Sequence, residues 1–289
     1  MGFEILNSLY FYEYKNFYIL TQPKVASSWL HDLYFNSNTK KENLRFFYVN
    51  QLTLELIPND ALTDEFVDDW YKLINNETPK KDFIFLMRDP LSKIVTGLMQ
   101  DVIYSKLLIE VTNINNHQNL SLEEINKFNN FHSKQNEFEW WRNTNIELNS
   151  DIERILFILV DTLIQKWFKD PQNIIELRNG HKSTNYFLLY KILKNNIKSK
   201  IIDIEKENIF DFIQQTYNFN ADVVFKKPRN KTPLGIKNIT LESIKKNNLH
   251  FYLSTYLQTD ILIYCDIFNS IYNTDLSINK LVHKIFLIQ

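Results

Sequence analysis

The sequence predicts an α/β fold with a central, mainly parallel sheet flanked by helices, and extra helices in the C-terminal half. Three observations carry that expectation. Short apolar runs of strand length, at 17–20, 83–87 and 201–204, are scarcely interrupted by polar residues, as in strands covered on both faces. The first two runs turn directly into segments of helical character, reaching Tyr34 and Leu108, which is the element order of α/β chains. Beyond residue 150 apolar side chains recur at helical spacing, most clearly Ile152, Ile155, Leu156, Leu159, Leu163 and Trp167. With no internal repeat and no clean linker, one domain spanning 1–289 is expected.

Taken in order, the aromatic, partly alternating residues 8–20 predict one or two strands. Ser27–Tyr34 predicts a helix and Leu44–Val49 another buried strand. Thr63 caps an amphipathic helix reaching Ile74, with acids in its first turns and Phe66, Val67, Trp70 and Leu73 at helical spacing. After a turn with Pro79, Asp82–Met87 reads as a central strand closed by Arg88, and Pro90 opens a helix to Leu108. An Asn-rich loop is expected over 111–119, followed by a Ser121/Glu124 capping box that opens a helix to about Asn129. A long helix over Asp151–Trp167 comes next. A strand near Ile174–Leu177, a helix over Tyr186–Leu193 capped by Ser183 or Thr184, and a strand over Lys200–Ile204 follow. Helices over Glu205–Tyr217, Leu241–Tyr256 and Asp260–Ile271 complete the pattern.

Composition narrows function by exclusion. Apolar residues make up 44% of the 289 and aromatics 15%, enough to fill a large core. Lys plus Arg number 33 against 34 Asp plus Glu, a formal net charge of −1. Nothing therefore draws the chain toward nucleic acid, and any bound anion must be held by local groups. The four glycines, Gly2, Gly97, Gly180 and Gly235, are too far apart for a glycine-cradled phosphate loop. The six histidines form no short-spaced pair, and the single cysteine, Cys265, builds neither a zinc cluster nor an internal disulfide. No metal is expected. Met1 to Asn7 lack the pattern of a secretory signal, and no 18-residue apolar run occurs. A soluble, cytoplasmic protein without a membrane partner is expected.

Two turns carry chemistry. The strand from Phe17 breaks at Pro23 and resumes as a helix from Ser27. The first N–H groups of a helix are unpaired and its dipole favours negative charge, so this turn can bind an anion. Ser27 and Ser28 add hydroxyls there and Lys24 a mobile cation. The same residues read equally well as a helix start capped by Ser27 beside a surface lysine. The second turn carries Arg88, whose planar fork suits a phosphate; its alternative is an ion pair with Asp89 or Asp101.

Thr21-Gln-Pro-Lys-Val-Ala-Ser-Ser-Trp-Leu30 resembles the 5′-phosphosulfate loop of sulfotransferases that use 3′-phosphoadenosine 5′-phosphosulfate (PAPS), most of all the carbohydrate sulfotransferases of the chondroitin type. Phe83 to Gly97, with Arg88-Asp-Pro at its turn, resembles their 3′-phosphate motif. Asn179–Ser183, Ile201–Glu205 and the Tyr256–Asp266 helix are similar to later blocks of those enzymes. The resemblance implies a P-loop-like three-layer fold and in-line transfer of a sulfuryl group from PAPS to a hydroxyl or amine, without a metal. The acceptor would be a carbohydrate or a small molecule. It implies that Lys24 meets the bridging oxygen, and that Val25, Ala26, Ser27, Ser28 and Trp29 hold the 5′-phosphate. Arg88 then takes the 3′-phosphate with Thr96, eight residues on, or Ser92 one turn earlier.

The general base is less plainly marked. Glu55 is the first candidate, then His31, then His181; for both histidines a structural role is the competing reading. The basic loop Lys226–Lys231, with Arg229, suits closure over the 3′-phosphate or a solvated charge run. Trp140 and Trp141 suit core packing or a stacking platform for sugar or adenine. Enzymes of the resembled type are membrane-anchored and disulfide-bonded, which this chain is not expected to be; a cytoplasmic, bacterial or viral version is implied. Two other classes compete. A nucleotide kinase of P-loop-like architecture is disfavoured by the missing glycine loop. A non-catalytic descendant would bind nucleotide or glycan without turnover.

Overall fold

The computed structural model describes residues 6–21, 44–50, 53–58, 60, 62–143, 146–173, 186–195, 197, 199–217 and 234–287. The chain divides into two compact units, one formed by residues 1–93, 181–230 and 257–281, the other by residues 94–180, 231–256 and 282–289.

The first unit is built on a six-stranded sheet. Its strands are β1 (Leu6–Glu13), β2 (Phe17–Thr21), β3 (Leu44–Asn50), β4 (Leu56–Ile57), β5 (Asp82–Met87) and β6 (Lys200–Asp203), in the order β4-β3-β1-β2-β5-β6. Only β2–β5 and β5–β6 pair in parallel; β1–β2, β1–β3 and β3–β4 are antiparallel. The expected mainly parallel sheet is thus a mixed one. The cause is local: three residues, 14–16, join β1 to β2, with the Tyr14 N–H donating to the Phe17 carbonyl at 2.9 Å. A parallel crossover needs a dozen residues or more, so a link this short can only fold the chain back.

The alternation of side chains along each strand places two aromatic-rich layers on opposite faces. On one, Phe11, Tyr18, Phe47 and Phe83 pack against Phe66 and Trp70 of α1 (Asp64–Ile74). On the other, Phe17, Ile19, Ile84, Leu86 and Ile202 pack with Ile209 and Ile213 of α7 (Ile209–Tyr217). α1 begins as expected, Thr63 Oγ1 accepting from the Phe66 N–H at 3.2 Å. It is pinned to the start of β5 by Asp69, a buried acid that accepts from the Lys80 N–H (2.8 Å), the Lys81 N–H (3.3 Å) and the Tyr18 hydroxyl (3.2 Å). The unit also holds α6 (Tyr186–Lys194), which packs on α10 (Gln258–Tyr272), and α11 (Ile278–Val282). α11 lies beyond Asp260–Ile271, the last helix expected from the sequence.

The second unit contains helices and no strand among its described residues. α2 (Pro90–Leu98) leads into it, and a π-helical turn over Met99–Ile103 continues into α3 (Tyr104–Thr112). The helix expected to end at Leu108 therefore reaches Thr112, taking the start of the expected loop. α4 (Leu122–His132) opens with the Ser121/Glu124 capping box formed in both directions. α5 (Ser150–Phe168) is the hub, packing on α3, α4 and α8 (Leu234–Lys246); α9 (Leu249–Tyr256) follows. One helix was expected over Leu241–Tyr256, and two stand there, separated by Asn248 at φ 56°, in the left-handed region that asparagine tolerates. In all, eleven α-helices are present among the described residues. Of these, no helix is long and apolar enough to cross a membrane.

Candidate functional site

Strand direction gathers the candidate residues. β5 and β6 run with β2, and β3 runs the same way because both it and β2 oppose β1. The carboxyl ends of four strands, at Thr21, Asn50, Met87 and Asp203, therefore face one edge of the sheet. In open α/β sheets that edge is where ligands bind.

Arg88 is the first residue after β5 and sits in a dense polar corner. Its Nε donates to Glu205 Oε1 at 2.9 Å, and its side chain is 19% exposed. Its carbonyl accepts from the Tyr186 hydroxyl on α6. The ion pair is not the one weighed from the sequence: the partner is Glu205, two residues past β6, rather than Asp89 or Asp101. Parallel pairing explains this, because Met87 lies beside Asp203 and brings the two strand exits together.

Asp203 fixes the β6 exit. Its Oδ1 accepts from the Glu205 N–H (2.8 Å) and the Lys206 N–H (3.2 Å), and its Oδ2 from the Tyr264 hydroxyl (2.7 Å). The Asp203 N–H donates to the Tyr272 oxygen at 3.0 Å, and that hydroxyl donates to Glu207 at 2.6 Å. α10 thus supplies two tyrosines that hold the turn carrying Glu205. Burial first, and then the Asp203 charge, raises the Tyr264 hydroxyl well above its ordinary range, so it remains a donor.

Asp89 lies in the floor of this corner, fully buried. Oδ1 accepts from the Ser92 N–H at 2.6 Å, and the main-chain carbonyl accepts from the Lys93 N–H at 3.1 Å, so Asp89 caps α2 with Pro90 just inside it. Among the described residues Oδ2 has no hydrogen-bond partner. Burial and, second, the Glu205 charge raise the Asp89 carboxyl, favouring its neutral form. Lys93 is 3% exposed; burial pushes its amine down to about 7, against the pull of the Asp260 charge. The corner combines a cation at the strand end, an acid that favours its proton, and an amine near neutrality.

The remaining candidates are distributed as follows. Ser92 and Thr96 are half-buried on α2, four residues apart and so on one side of the helix. Glu55 is exposed on the turn between β3 and β4, which leaves from the same edge, and Thr53 Oγ1 donates to its Oε2 at 3.0 Å. That turn is anchored from below, because Trp70 Nε1 donates to the Leu54 carbonyl at 2.9 Å. Lys24, Val25, Ala26, Ser27, Ser28, Trp29, His31, His181 and Arg229 lie outside the described residues, as does the expected strand at 174–177. Trp140 and Trp141 are core residues, 1% and 2% exposed, packed with each other and, through Trp140, with Phe128, Phe131 and His132. Burial leaves neither face of the pair open as a stacking platform.

Sequence reasoning gave no role to Asp203, Lys93 or the three tyrosines. An acid ending an apolar strand at 203 was a readable signal, as was a lysine among the apolar positions of α2, between Leu91 and Ile94. Tyr186 and Tyr272 carried none, since each sits in an ordinary amphipathic helix, and Tyr264 was marked only by its place in the Tyr256–Asp266 stretch. The chain has no match among protein-family models, curated proteins or solved structures.

Proposed function

We propose that this chain is a PAPS-dependent sulfotransferase of P-loop-like architecture, transferring a sulfuryl group to a hydroxyl or amine of a carbohydrate or small molecule. The observation that carries the reading is the pairing of β2 with β5. They are adjacent parallel strands, Leu20 beside Phe85, about 4.8 Å apart. β2 therefore ends at Thr21 on the same edge, and nearly at the same level, as β5 ends before Arg88. A doubly phosphorylated nucleotide needs two such turns side by side. Arg88 suits one phosphate, because its guanidinium already holds an oxyanion, the Glu205 carboxylate, in a mostly buried setting. The cytoplasmic location goes with this reading, a single buried cysteine leaving no internal disulfide.

PAPS supplies the activated sulfuryl group. The residues' part is to orient it, to offset the charge that grows on the leaving oxygen, and to take the acceptor's proton. Lys24 serves the leaving oxygen, Arg88 with Ser92 and Thr96 the 3′-phosphate, and Glu55 is the carboxylate offered as base. The test is thermal shift with adenosine 3′,5′-bisphosphate beside ATP and AMP. Selective stabilisation by the bisphosphate is expected, about 2.7 kcal/mol at a hundredfold excess over Kd, abolished by Arg88→Ala and weakened by Lys24→Ala. No shift of the folded protein with the bisphosphate overturns the reading.

A further inference from the structure

Asp89 poses a problem that its role as a helix cap does not solve. One oxygen caps α2 through the Ser92 N–H at 2.6 Å, yet the other is buried without a hydrogen-bond partner among the described residues. A carboxylate oxygen in that state carries a heavy desolvation cost, whereas a carboxyl group holding its proton there becomes a donor. The acceptor is at hand. The Glu205 carboxylate lies within hydrogen-bonding reach of Asp89 while it also takes the Arg88 Nε–H at 2.9 Å.

The titratable groups facing this corner come from five elements. Arg88 and Asp89 stand on the β5–α2 turn, Lys93 on α2, Asp203 and Glu205 at the β6 exit, and Tyr186 on α6. From α10 come Asp260, Tyr264 and Cys265. The neighbouring Glu205 carboxylate opposes a negative charge on Asp89. The side chain of Glu205, 27% exposed, can leave toward water; Asp89, fully buried, cannot.

We propose that Asp89 is a binding residue in its neutral form, a buried acid that gives its proton as a hydrogen bond to whichever oxyanion occupies Arg88. In the protein as it stands that oxyanion is the Glu205 carboxylate; on binding it is a phosphate oxygen that displaces Glu205. No covalent bond changes, and the proton stays on Asp89 throughout. The inference rests on the reading of Arg88 as a phosphate-binding residue, and it adds a donor and a displaceable internal competitor to that site.

The test is calorimetric titration of the full chain with adenosine 3′,5′-bisphosphate between about pH 7 and about pH 8.5, above the second ionisation of a phosphate monoester. Wild-type affinity falls as pH rises and Asp89 loses its proton. Asp89→Asn reproduces the neutral acid in shape, keeping both the helix cap and a donor. It binds as wild type does at about pH 7, and on the order of tenfold tighter than wild type at about pH 8.5. Asp89→Ala loses the donor and binds on the order of tenfold more weakly at about pH 7. Glu205→Gln, with its competitor charge removed, binds several-fold tighter. If Asp89→Asn keeps the full wild-type slope, or weakens binding as Asp89→Ala does, the inference is overturned while Arg88 keeps its assignment. If neither wild type nor Glu205→Gln binds the bisphosphate, the assignment of Arg88 falls and this inference falls with it.

Discussion

Removing one hydroxyl, in Tyr264→Phe, tests whether Asp203 is the fixed point of the polar corner. The Asp203 carboxylate is fully buried and accepts the Tyr264 O–H at 2.7 Å, the Glu205 N–H at 2.8 Å and the Lys206 N–H at 3.2 Å. A hydrogen bond to a charged group contributes about 1.5–3 kcal/mol net, and stripping a buried charge of its partners costs about 3–5 kcal/mol. Phenylalanine keeps the ring and its packing on Tyr186, 5.8 Å between centroids, and the two main-chain donors remain on Oδ1. The loss therefore belongs in the lower range, about 2 kcal/mol. For a chain of this size that lowers Tm by about 4–8 °C. Urea unfolding at neutral pH, followed by tryptophan fluorescence, should show a lower midpoint with an unchanged slope. A loss below about 0.5 kcal/mol would mean that water serves Oδ2 as well as Tyr264 does, and the argument for a fixed β6 exit would fail.

Other consequences can be checked by the same unfolding measurement. The raised Asp89 carboxyl keeps its proton in the folded protein while the unfolded chain releases it, so stability from this group falls as pH rises from about 4 toward neutrality. Asp89→Asn should remove that fall and gain on wild type by about pH 8; parallel pH profiles would refute it. Lys93 has the opposite sign. Its amine is lowered to about 7, so the unfolded chain binds the proton more tightly, and stability rises from there to about pH 10. Lys93→Met should flatten that rise. In the helical unit Asp161 accepts from Ser243 (2.6 Å), Asn247 (2.6 Å), Lys246 (2.8 Å) and Gln165 (3.0 Å), tying α5 to α8. Asp161→Ala should cost about 3 kcal/mol, whereas Lys246→Ala, on a side chain 57% exposed, should cost under about 1 kcal/mol. Ser121→Ala breaks the capping box of α4 and should cost about 1 kcal/mol.

What the sequence disclosed was local. Thr63 and Ser121 announced their helices because a cap is written within four residues, and Phe83–Met87 announced a strand because covered strands admit few polar residues. The direction of β1 was decided by the short link at 14–16, a stronger signal than the apolar runs on which a mainly parallel sheet was expected. Arg88 was found as a strand-end cation, but its partner was sought at Asp89 and Asp101, within reach along the chain. Glu205 stands 117 residues away and is delivered by the β5–β6 pairing, which no local pattern encodes. The two tryptophans offered the same difficulty in reverse: their spacing allowed a platform, and only the packing of Phe128 and Phe131 around Trp140 decided against it.

The bonds of the polar corner span 117 residues for Arg88–Glu205, 98 for Tyr186–Arg88, 69 for Tyr272–Asp203 and 61 for Tyr264–Asp203. Bonds between groups so distant along the chain are costly to close early, because the entropy of closing so long a loop must be met first, and they are expected to form late. A group that is made late leaves the folding rate nearly untouched when it is strengthened, and its whole effect falls on the rate of escape from the folded state. An anion that bridges this corner should therefore act as a brake on unfolding. Stopped-flow unfolding with and without the bisphosphate would read that brake directly, as a longer folded lifetime at an unaltered refolding rate.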